Sequence, residues 1–244
     1  MSGVKETKPA AVPVSAVAVD FGGTLARPGP SPDAVTVARI LSELGGPMIP
    51  GGFATALEGV VGRARAADRP RHEQTPFAEL LRLAAAESGA VLDDPQALAR
   101  AVFTAVPDAE VDPVAAHALR NLHEAGLVCV LACDTQRPES VRRATLRRAR
   151  LSDCFDALVL SSTLGVRKPH PRFYTAVIEA AGCPPEQIVF VGDTPRKDAV
   201  GPLAHGMRAA LISPDGRPPG LDPRIGVIAH LSELPAYLGS LHAY

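Results

Sequence analysis

Short apolar runs separated by helical patterns constrain this 244-residue chain more than any other feature. We predict strands at residues 14–19, 127–132, 157–160, 188–191 and 209–212, with a short edge strand at 225–228. Each run is largely apolar and is bounded by polar residues or glycine, which is typical of strands that are covered on both faces. Because helical patterns separate the strands from residue 127 onward, we predict an α/β fold with a parallel, doubly wound sheet.

The segment from about Ser31 to Val106 carries four helical patterns and no good strand run. Three of these helices have start signals, an N-cap residue followed by Pro at the first helical position, at Ser31-Pro32, Thr75-Pro76 and Asp94-Pro95. Gly45 and Gly46 are predicted to end the first helix. The sequence therefore predicts an all-helical insert, with a core domain at 14–28 and 108–244 and the insert at 29–107.

Two further helices are predicted within the core domain. Asp112-Pro113 starts the first of them, which ends at Gly126 and leads into the strand at 127–132. The second covers residues 139–150 and carries five arginines, which we interpret as a solvated face. They are Arg142, Arg143, Arg147, Arg148 and Arg150.

Charge and composition argue against several classes of protein. The formal net charge is −1, so nothing suggests binding to nucleic acid or to a membrane surface. No apolar run approaches the roughly 18 residues that a membrane-spanning helix needs. Residues 1–13 lack the apolar stretch of a signal peptide, so we expect a disordered lead and a cytoplasmic protein.

Acidic side chains follow two of the predicted strands. Asp20 ends the first strand in VAVDFGGTLA, where Gly22 and Gly23 permit a tight turn and close approach of a ligand. Asp193 and Asp198 follow the fourth strand in IVFVGDTPRKDAVG, and two carboxylates on one such loop can share a hard cation. Each also has an ordinary structural explanation, since Asp20 could bind N–H groups of its own turn and Asp198 could cap a helix.

Two more motifs complete this set. Cys133 and Asp134 end the second strand in VCVLACDTQ, where they could hold an anion or where Asp134 could simply cap a helix. Lys168, in GVRKPHPRFY, is one of four lysines in the chain and could equally be a solvated surface residue. Because the carboxyl ends of parallel strands share one edge of a sheet, the four motifs together predict a single crevice.

The order of these motifs resembles the haloacid dehalogenase-like (HAD) superfamily from about Val14 to Leu238. The resemblance implies a Rossmann-like core and a helical insert of the C1 cap type, which closes over the substrate. Asp20 matches the family's nucleophile, Cys133 its second-motif Ser or Thr, Lys168 its third-motif lysine, and Asp193 and Asp198 its fourth-motif acids.

The resemblance implies a Mg²⁺-dependent phosphatase that acts on a small phosphorylated metabolite. Attack of Asp20 on an anionic phosphate needs nearby positive charge, which Lys168 and a Mg²⁺ ion held by Asp20, Asp193 and the Gly22 carbonyl would supply. Asp20 would form an aspartyl-phosphate that water hydrolyses, and Asp198 would orient Lys168 or the metal's surroundings. The candidates for substrate binding are Cys133, Asp134 and Thr24.

Two positions depart from the family's pattern: Cys133 has a thiol, a weaker hydrogen-bond donor, in place of a hydroxyl, and Gly22 has no side chain. Most phosphatases of the family carry a second Asp two residues after the nucleophile, where this chain has Gly22. General acid–base help contributes about 10²–10⁴-fold in rate, so we expect slow turnover of alkyl phosphates unless another acid substitutes. His72 and Glu73 in the insert are candidates for that acid, although they could also belong to a solvated loop. Arginines of the same stretch could bind an anionic substrate tail: Arg63, Arg65, Arg69 and Arg71.

The missing acid leaves other reactions to compare. Phosphonate cleavage in this family uses a lysine of the insert, and the chain has no Lys from Pro9 to Arg167. Dehalogenation uses no metal, so Asp193 would be superfluous for it. A phosphotransferase or mutase stays open, as does a catalytically impaired binding or regulatory protein.

Overall fold

A computed structural model describes residues 12–45 and 48–241 of the chain. The strands are β1 (Ala16–Val19), β2 (Ala26–Pro28), β3 (Ala109–Val111), β4 (Val128–Cys133), β5 (Ala157–Leu160), β6 (Ile188–Gly192), β7 (Arg208–Ile212) and β8 (Gly226–Ile228). The α-helices are α1 (Ala34–Glu43), α2 (Phe53–Asp68), α3 (Phe77–Ser88), α4 (Pro95–Ala105), α5 (Pro113–Glu124), α6 (Glu139–Arg148), α7 (Ser161–Leu164), α8 (Pro171–Ala181), α9 (Gly201–Ala204) and α10 (Leu234–Leu241). Short 3₁₀ turns lie at Arg69–Arg71, Ser152–Cys154, Pro185–Gln187 and Leu231–Glu233, and a π-helical turn lies at Pro195–Val200. Most of the predicted lead, residues 1–11, and Gly46 lie outside the described residues.

Six strands form one parallel sheet in the order β5-β4-β1-β6-β7-β8. The predicted doubly wound α/β fold is confirmed, and the predicted strands agree with the observed ones to within two residues. β1 is central, with Ala16 opposite Val128 of β4 on one side and opposite Ile188 of β6 on the other. The order of strands therefore reverses at β1, and ligands bind in such sheets at this point, outside the carboxyl ends of the strands.

The side chains of β1 alternate between the two faces of the sheet. Val17 and Val19 belong to one buried cluster, which includes Leu119 of α5. Ala16 and Ala18 belong to a second, which includes Phe173 of α8. Successive residues of a strand point to opposite faces, so a strand with helices on both sides must be apolar at every position. All four residues of β1 are buried and apolar for this reason, and the first polar side chain after them, that of Asp20, comes where the strand ends.

Helices α1 to α4 lie between β2 and β3 in the chain and share a hydrophobic cluster of their own. The cluster contains Leu41, Phe53, Leu57, Leu81 and Val102. The four helices of the predicted insert are therefore present, whereas its boundaries at residues 29 and 107 stay a prediction. Among the described residues, no helix has the length and apolar character needed to cross a membrane.

Two of the three predicted helix starts in the insert were wrong. Asp94 does cap α4, accepting a hydrogen bond from the Ala97 N–H at 2.9 Å. At α1 the capping carboxylate is Asp33 rather than Ser31, and it accepts from the Thr36 N–H at 2.7 Å. Thr75 does not cap α3, which begins one residue later than predicted, and its own N–H and hydroxyl both donate to the carboxylate of Asp68 at the end of α2.

An antiparallel ribbon that the sequence did not predict joins the two ends of the insert. Ala26 of β2 lies opposite Val111 of β3, and Pro28 lies opposite Ala109. Each strand has only three residues, and Ala26 alone among the six is buried, so no apolar alternation marks either strand. The ribbon lies directly after the Asp20 loop and therefore connects that loop to the base of the insert.

The interpretation of all five arginines near α6 as a solvated face was wrong for Arg142, whose side chain is buried. Its Nη1 lies 3.0 Å from the carboxylate of Asp108, and the same carboxylate lies 2.9 Å from Nε of buried Arg137. Arg137 Nη2 also donates to the carbonyl oxygens of Pro30 and Pro107, one on each connection to the insert. A buried ion-pair network thus holds the base of the insert against α6. The helix itself ends at Arg148, and the other four arginines are exposed as predicted.

Removing the acid of this network should destabilise the protein strongly. Asp108→Ala leaves two buried guanidinium groups without a counter-charge, and such a change typically costs about 3–5 kcal/mol. The exposed loop residue Asp215 provides the matched control, and Asp215→Ala should change the free energy of unfolding by about 0.5 kcal/mol or less. Chemical denaturation measures both values, and equal effects of the two substitutions would contradict a stabilising role for the network.

Candidate active site

Three elements bring the predicted catalytic side chains to one edge of the sheet. Asp20 follows β1, and Asp193 follows β6, the strand paired with it. Lys168 lies in the connection before α8, and Asp198 lies in the π-helical turn after β6. A π-helical turn is rare and often occurs at functional sites. The convergence predicted from the order of the strands is therefore present in the fold.

The ammonium group of Lys168 lies at the centre of the site. Its Nζ donates to Asp20 Oδ1 at 2.6 Å, to Asp198 Oδ1 at 2.7 Å and to the carbonyl oxygen of Ala132 at 3.0 Å. An ammonium group has three donors, so all of its hydrogen-bonding capacity is used. Lys168 is only 2% exposed, which means that the two carboxylates bind a desolvated charge rather than a surface one.

Burial and charge shift the pKa values in this group in opposite directions. Burial raises the pKa of Asp20 to about 6, because desolvation outweighs the attraction of Lys168. Burial also raises the pKa of Asp198. Burial alone would lower the pKa of Lys168, but the charges of Asp20 and Asp198 outweigh it and raise that pKa. Lys168 therefore stays charged, and a further cation would favour the ionised form of both carboxylates.

Asp20, Asp193 and Asp198 form an acidic cluster in which one carboxylate oxygen of each lies within 4.8 Å of the others. Asp198 is engaged within the protein, since its second oxygen accepts from the Thr194 N–H at 3.0 Å. Asp193 is exposed and accepts only from the Thr194 hydroxyl at 3.2 Å among the described residues. Three carboxylates around one ammonium leave an excess of negative charge, and oxygen ligands of this kind suit Mg²⁺. The residues present thus fit a divalent cation.

Two glycines permit the close approach of these carboxylates. A Cβ at Gly23, where φ is +79°, would lie 2.2 Å from Asp193 Oδ2. A Cβ at Gly192 would lie 2.4 Å from Cγ of Asp198. Gly22 differs, because a Cβ there would meet only Pro28 Cγ, at 3.8 Å. Gly22 therefore has room for a Cβ, with only an ordinary contact to Pro28.

The predicted substrate-binding residues lie in different environments. The Cys133 thiol is buried, which raises its pKa to about 12, and it contacts the carbonyl oxygen of Asp134 at 3.5 Å. The Asp134 carboxylate accepts from the Lys168 backbone N–H and from Lys197 Nζ, both at 3.0 Å, so it holds the lysine loop in place. Thr24 is buried and lines a separate cleft beside Asp112.

A cavity of about 290 Å³ opens next to the nucleophile loop and is called the Gly22 cavity below. Its lining includes Gly22, Cys133 and Asp134 from the core and Gln74 from the insert. Gln74 is buried and its amide donates to the Thr135 carbonyl at 2.7 Å, so the insert is bonded directly to the second motif. The sequence did not identify Gln74, since a single Gln in a polar loop carries no pattern.

The candidate acids of the insert do not line the Gly22 cavity. His72 is half-buried in a left-handed conformation with φ of 53°, and Glu73 forms an ion pair with Arg71 at 2.8 Å. Arg63 pairs with Glu87 on the surface of the insert. Arg65 lines a second cavity of about 190 Å³, called the insert cavity below, and Arg69 is exposed.

The fold is a parallel α/β domain, and Lys168 bridges two aspartates at the carboxyl edge of its sheet, Asp20 after the central strand and Asp198 after β6. Fold and site together suit a hydrolase. The model of the haloacid dehalogenase-like hydrolase family matches residues 14–206, and the chain belongs to that family.

Curated relatives and solved structures agree with this assignment. The chain is 32% identical to phosphoserine phosphatase of Thermus thermophilus, over 59% of this chain and 57% of that protein. It is 37% identical to phosphoglycolate phosphatase of Cereibacter sphaeroides, over 54% of this chain and 60% of that protein. Each alignment thus spans less than two thirds of the relative's length. A 2-haloacid dehalogenase structure from Pseudomonas syringae shares the fold with a TM-score of 0.68 and 23% identity, over 93% of this chain and 99% of that one.

The two neighbouring glycines of the nucleophile loop should respond differently to substitution. Gly23→Ala introduces a Cβ at positive φ that clashes with Asp193, so we expect a loss of at least about 1–2 kcal/mol in the free energy of unfolding. Gly22→Ala makes only an ordinary contact, with Pro28 Cγ at 3.8 Å, and should stay within about 0.5 kcal/mol of the wild type. Denaturant titration of the pair tests the packing, and a Gly23→Ala variant as stable as Gly22→Ala would contradict it.

Proposed function

We propose that the protein is a Mg²⁺-dependent phosphatase that acts on a small phosphorylated metabolite through an aspartyl-phosphate at Asp20. The observation that carries this proposal is the buried ammonium of Lys168 held between Asp20 and Asp198, with Asp193 beside them. The phosphatases among the similar proteins support the same reaction class.

The metal would be held by Asp20, Asp193 and the Gly22 carbonyl. When bound, it would supply the positive charge that an anionic phosphate needs as a carboxylate approaches. Lys168 keeps one oxygen of Asp20 in place through the contact between Nζ and Oδ1, which leaves Oδ2 to attack phosphorus. Asp198 and Asp134 act through Lys168, the first on its ammonium group and the second on its backbone N–H.

Two displacements complete the reaction. In the first, Asp20 Oδ2 forms a bond to phosphorus and the bond from phosphorus to the leaving oxygen breaks, with that oxygen taking a proton. In the second, water attacks phosphorus, the bond to Asp20 breaks, and inorganic phosphate is released with the carboxylate regenerated.

The proton of the first displacement has no dedicated donor in the described site. Two acids line the Gly22 cavity, and both are engaged with cations, Asp108 with two arginines and Asp134 with Lys197. Water must then protonate the leaving oxygen, which is adequate for an aryl oxide and poor for an alkoxide. We therefore propose that the enzyme is slow on alkyl phosphates.

Hydrolysis of an activated aryl phosphate tests the proposed function. The wild type should release phosphate in the presence of Mg²⁺ and should lose activity when the metal is chelated. Asp20→Asn, which keeps the size of the side chain and removes the nucleophile, should fall to the rate of the reaction without enzyme. A wild type that binds Mg²⁺ but hydrolyses no aryl phosphate would instead support the rival function, a binding or regulatory protein.

Restoring the missing acid should raise activity on alkyl phosphates. Gly22→Asp puts a carboxyl group two residues after the nucleophile, at a position where a Cβ meets only Pro28 Cγ at 3.8 Å, and we expect an increase in kcat of about 10²-fold or more. Gly22→Asn is the matched control, because it has nearly the same shape and cannot transfer a proton as an acid. Steady-state kinetics on an alkyl phosphate measure the difference, and equal rates for the two variants would show that proton transfer is not the deficit.

A further inference from the structure

The Gly22 cavity carries more positive charge than its acids can balance. Three arginines line it, Arg137, Arg142 and Arg167. Asp108 is shared by the first two. The other acid of the lining, Asp134, is bound to Lys197. Within the described part of the chain, the Arg167 side chain has no carboxylate partner.

Buried hydrogen-bond donors in the same wall also lack acceptors. Arg137 and Arg142 are 7% and 4% exposed, and Nη1 of the first and Nε of the second have no hydrogen-bond partner. Leaving a charged donor unpaired away from water is costly. These two arginines keep positive charge beside the Gly22 cavity, next to Arg167.

Arg167 occupies the boundary between core and insert. Its backbone N–H donates to the carbonyl oxygen of His72 at 2.9 Å, and the preceding Val166 pairs with Glu73. Its side chain lines both the Gly22 cavity and the insert cavity, whereas Lys168, the next residue, lines neither. Arg167 thus lies where the insert packs on the core and borders both cavities.

The geometry of phosphoryl transfer makes the insert side the one that faces the leaving group. Attacking and leaving oxygens lie roughly in line, so a leaving group extends away from Asp20 and out of the core. The transferred phosphate itself would be held deeper, beside Lys168.

We propose that Arg167 is a specificity-determining residue that binds a second anionic group on the substrate, a carboxylate or a second phosphate on the leaving group. This inference rests on the proposed phosphatase activity. A planar guanidinium binds such oxyanions through paired hydrogen bonds. The cavity volume of about 290 Å³ suits a leaving group of a few carbon atoms.

Three phosphate esters with the same three-carbon chain test the proposal. They are the phosphate of 3-hydroxypropanoate, the bisphosphate of 1,3-propanediol, and the phosphate of 3-hydroxypropanamide, which is uncharged at the far end. We expect the wild type to prefer one or both anionic esters over the amide by about 10- to 100-fold in kcat/KM. The ester that is preferred distinguishes a carboxylate from a phosphate as the second group.

Arg167→Gln should remove this preference and leave activity on the amide and on an aryl phosphate within about threefold of the wild type. Arg172→Gln is the matched control, because Arg172 is exposed on α8 and lines neither cavity, and it should keep the preference. Retained aryl phosphate activity also shows that the Arg167→Gln variant is folded.

Three results would overturn the proposal while leaving the proposed function intact. The first is an equal loss of Arg167→Gln activity on all esters, which would assign Arg167 to the transferred phosphate or to the fold. The second is a wild type that hydrolyses the amide as fast as the anionic esters. The third is a wild type that turns over none of the three esters and whose hydrolysis of the aryl phosphate is inhibited equally by all three. Absence of activity on every phosphate, including the aryl one, would remove the proposed function as well.

Discussion

The ammonium group of Lys168 is the interaction on which the arrangement of this site depends. It is buried, and it holds Asp20 from the central strand and Asp198 from the turn after β6 at hydrogen-bonding distance. Without it, two desolvated carboxylates would lie next to each other, and both would be driven toward their neutral forms. With it, one oxygen of Asp20 is fixed and ionised carboxylate is retained beside a third acid, Asp193.

Much of the fold and of the central cluster followed from the sequence for a single physical reason. Strands buried on both faces must be apolar throughout, so a polar side chain can appear only where a strand ends. In a parallel sheet those ends share one edge, and Asp20 and Asp193 on paired strands were therefore expected to lie together. The start of α4 was predictable for a local reason, because its capping acid, Asp94, directly precedes the helix in the sequence.

The features that the sequence did not predict depend on contacts between distant segments. Arg142 looks like its exposed neighbour Arg143, and only the position of Asp108, far away in the chain, makes it a buried ion-pair partner. Gln74 lies in a polar loop and becomes part of the site because the insert folds back onto Thr135. The strands β2 and β3 are too short to show an alternation of apolar and polar residues. They flank the insert in the chain, and their pairing joins its two ends.

The proposed reaction requires one divalent cation between Asp20 and Asp193 while Asp20 receives the phosphoryl group. A crystal structure with Mn²⁺ in place of Mg²⁺ and a beryllofluoride mimic of the phosphoryl group tests this most directly. The account predicts an anomalous peak within bonding distance of both carboxylates, with the mimic attached to Asp20 and contacted by Lys168. An ion bound elsewhere, or a mimic that leaves Asp20 free while Lys168 keeps its two aspartates, would contradict it.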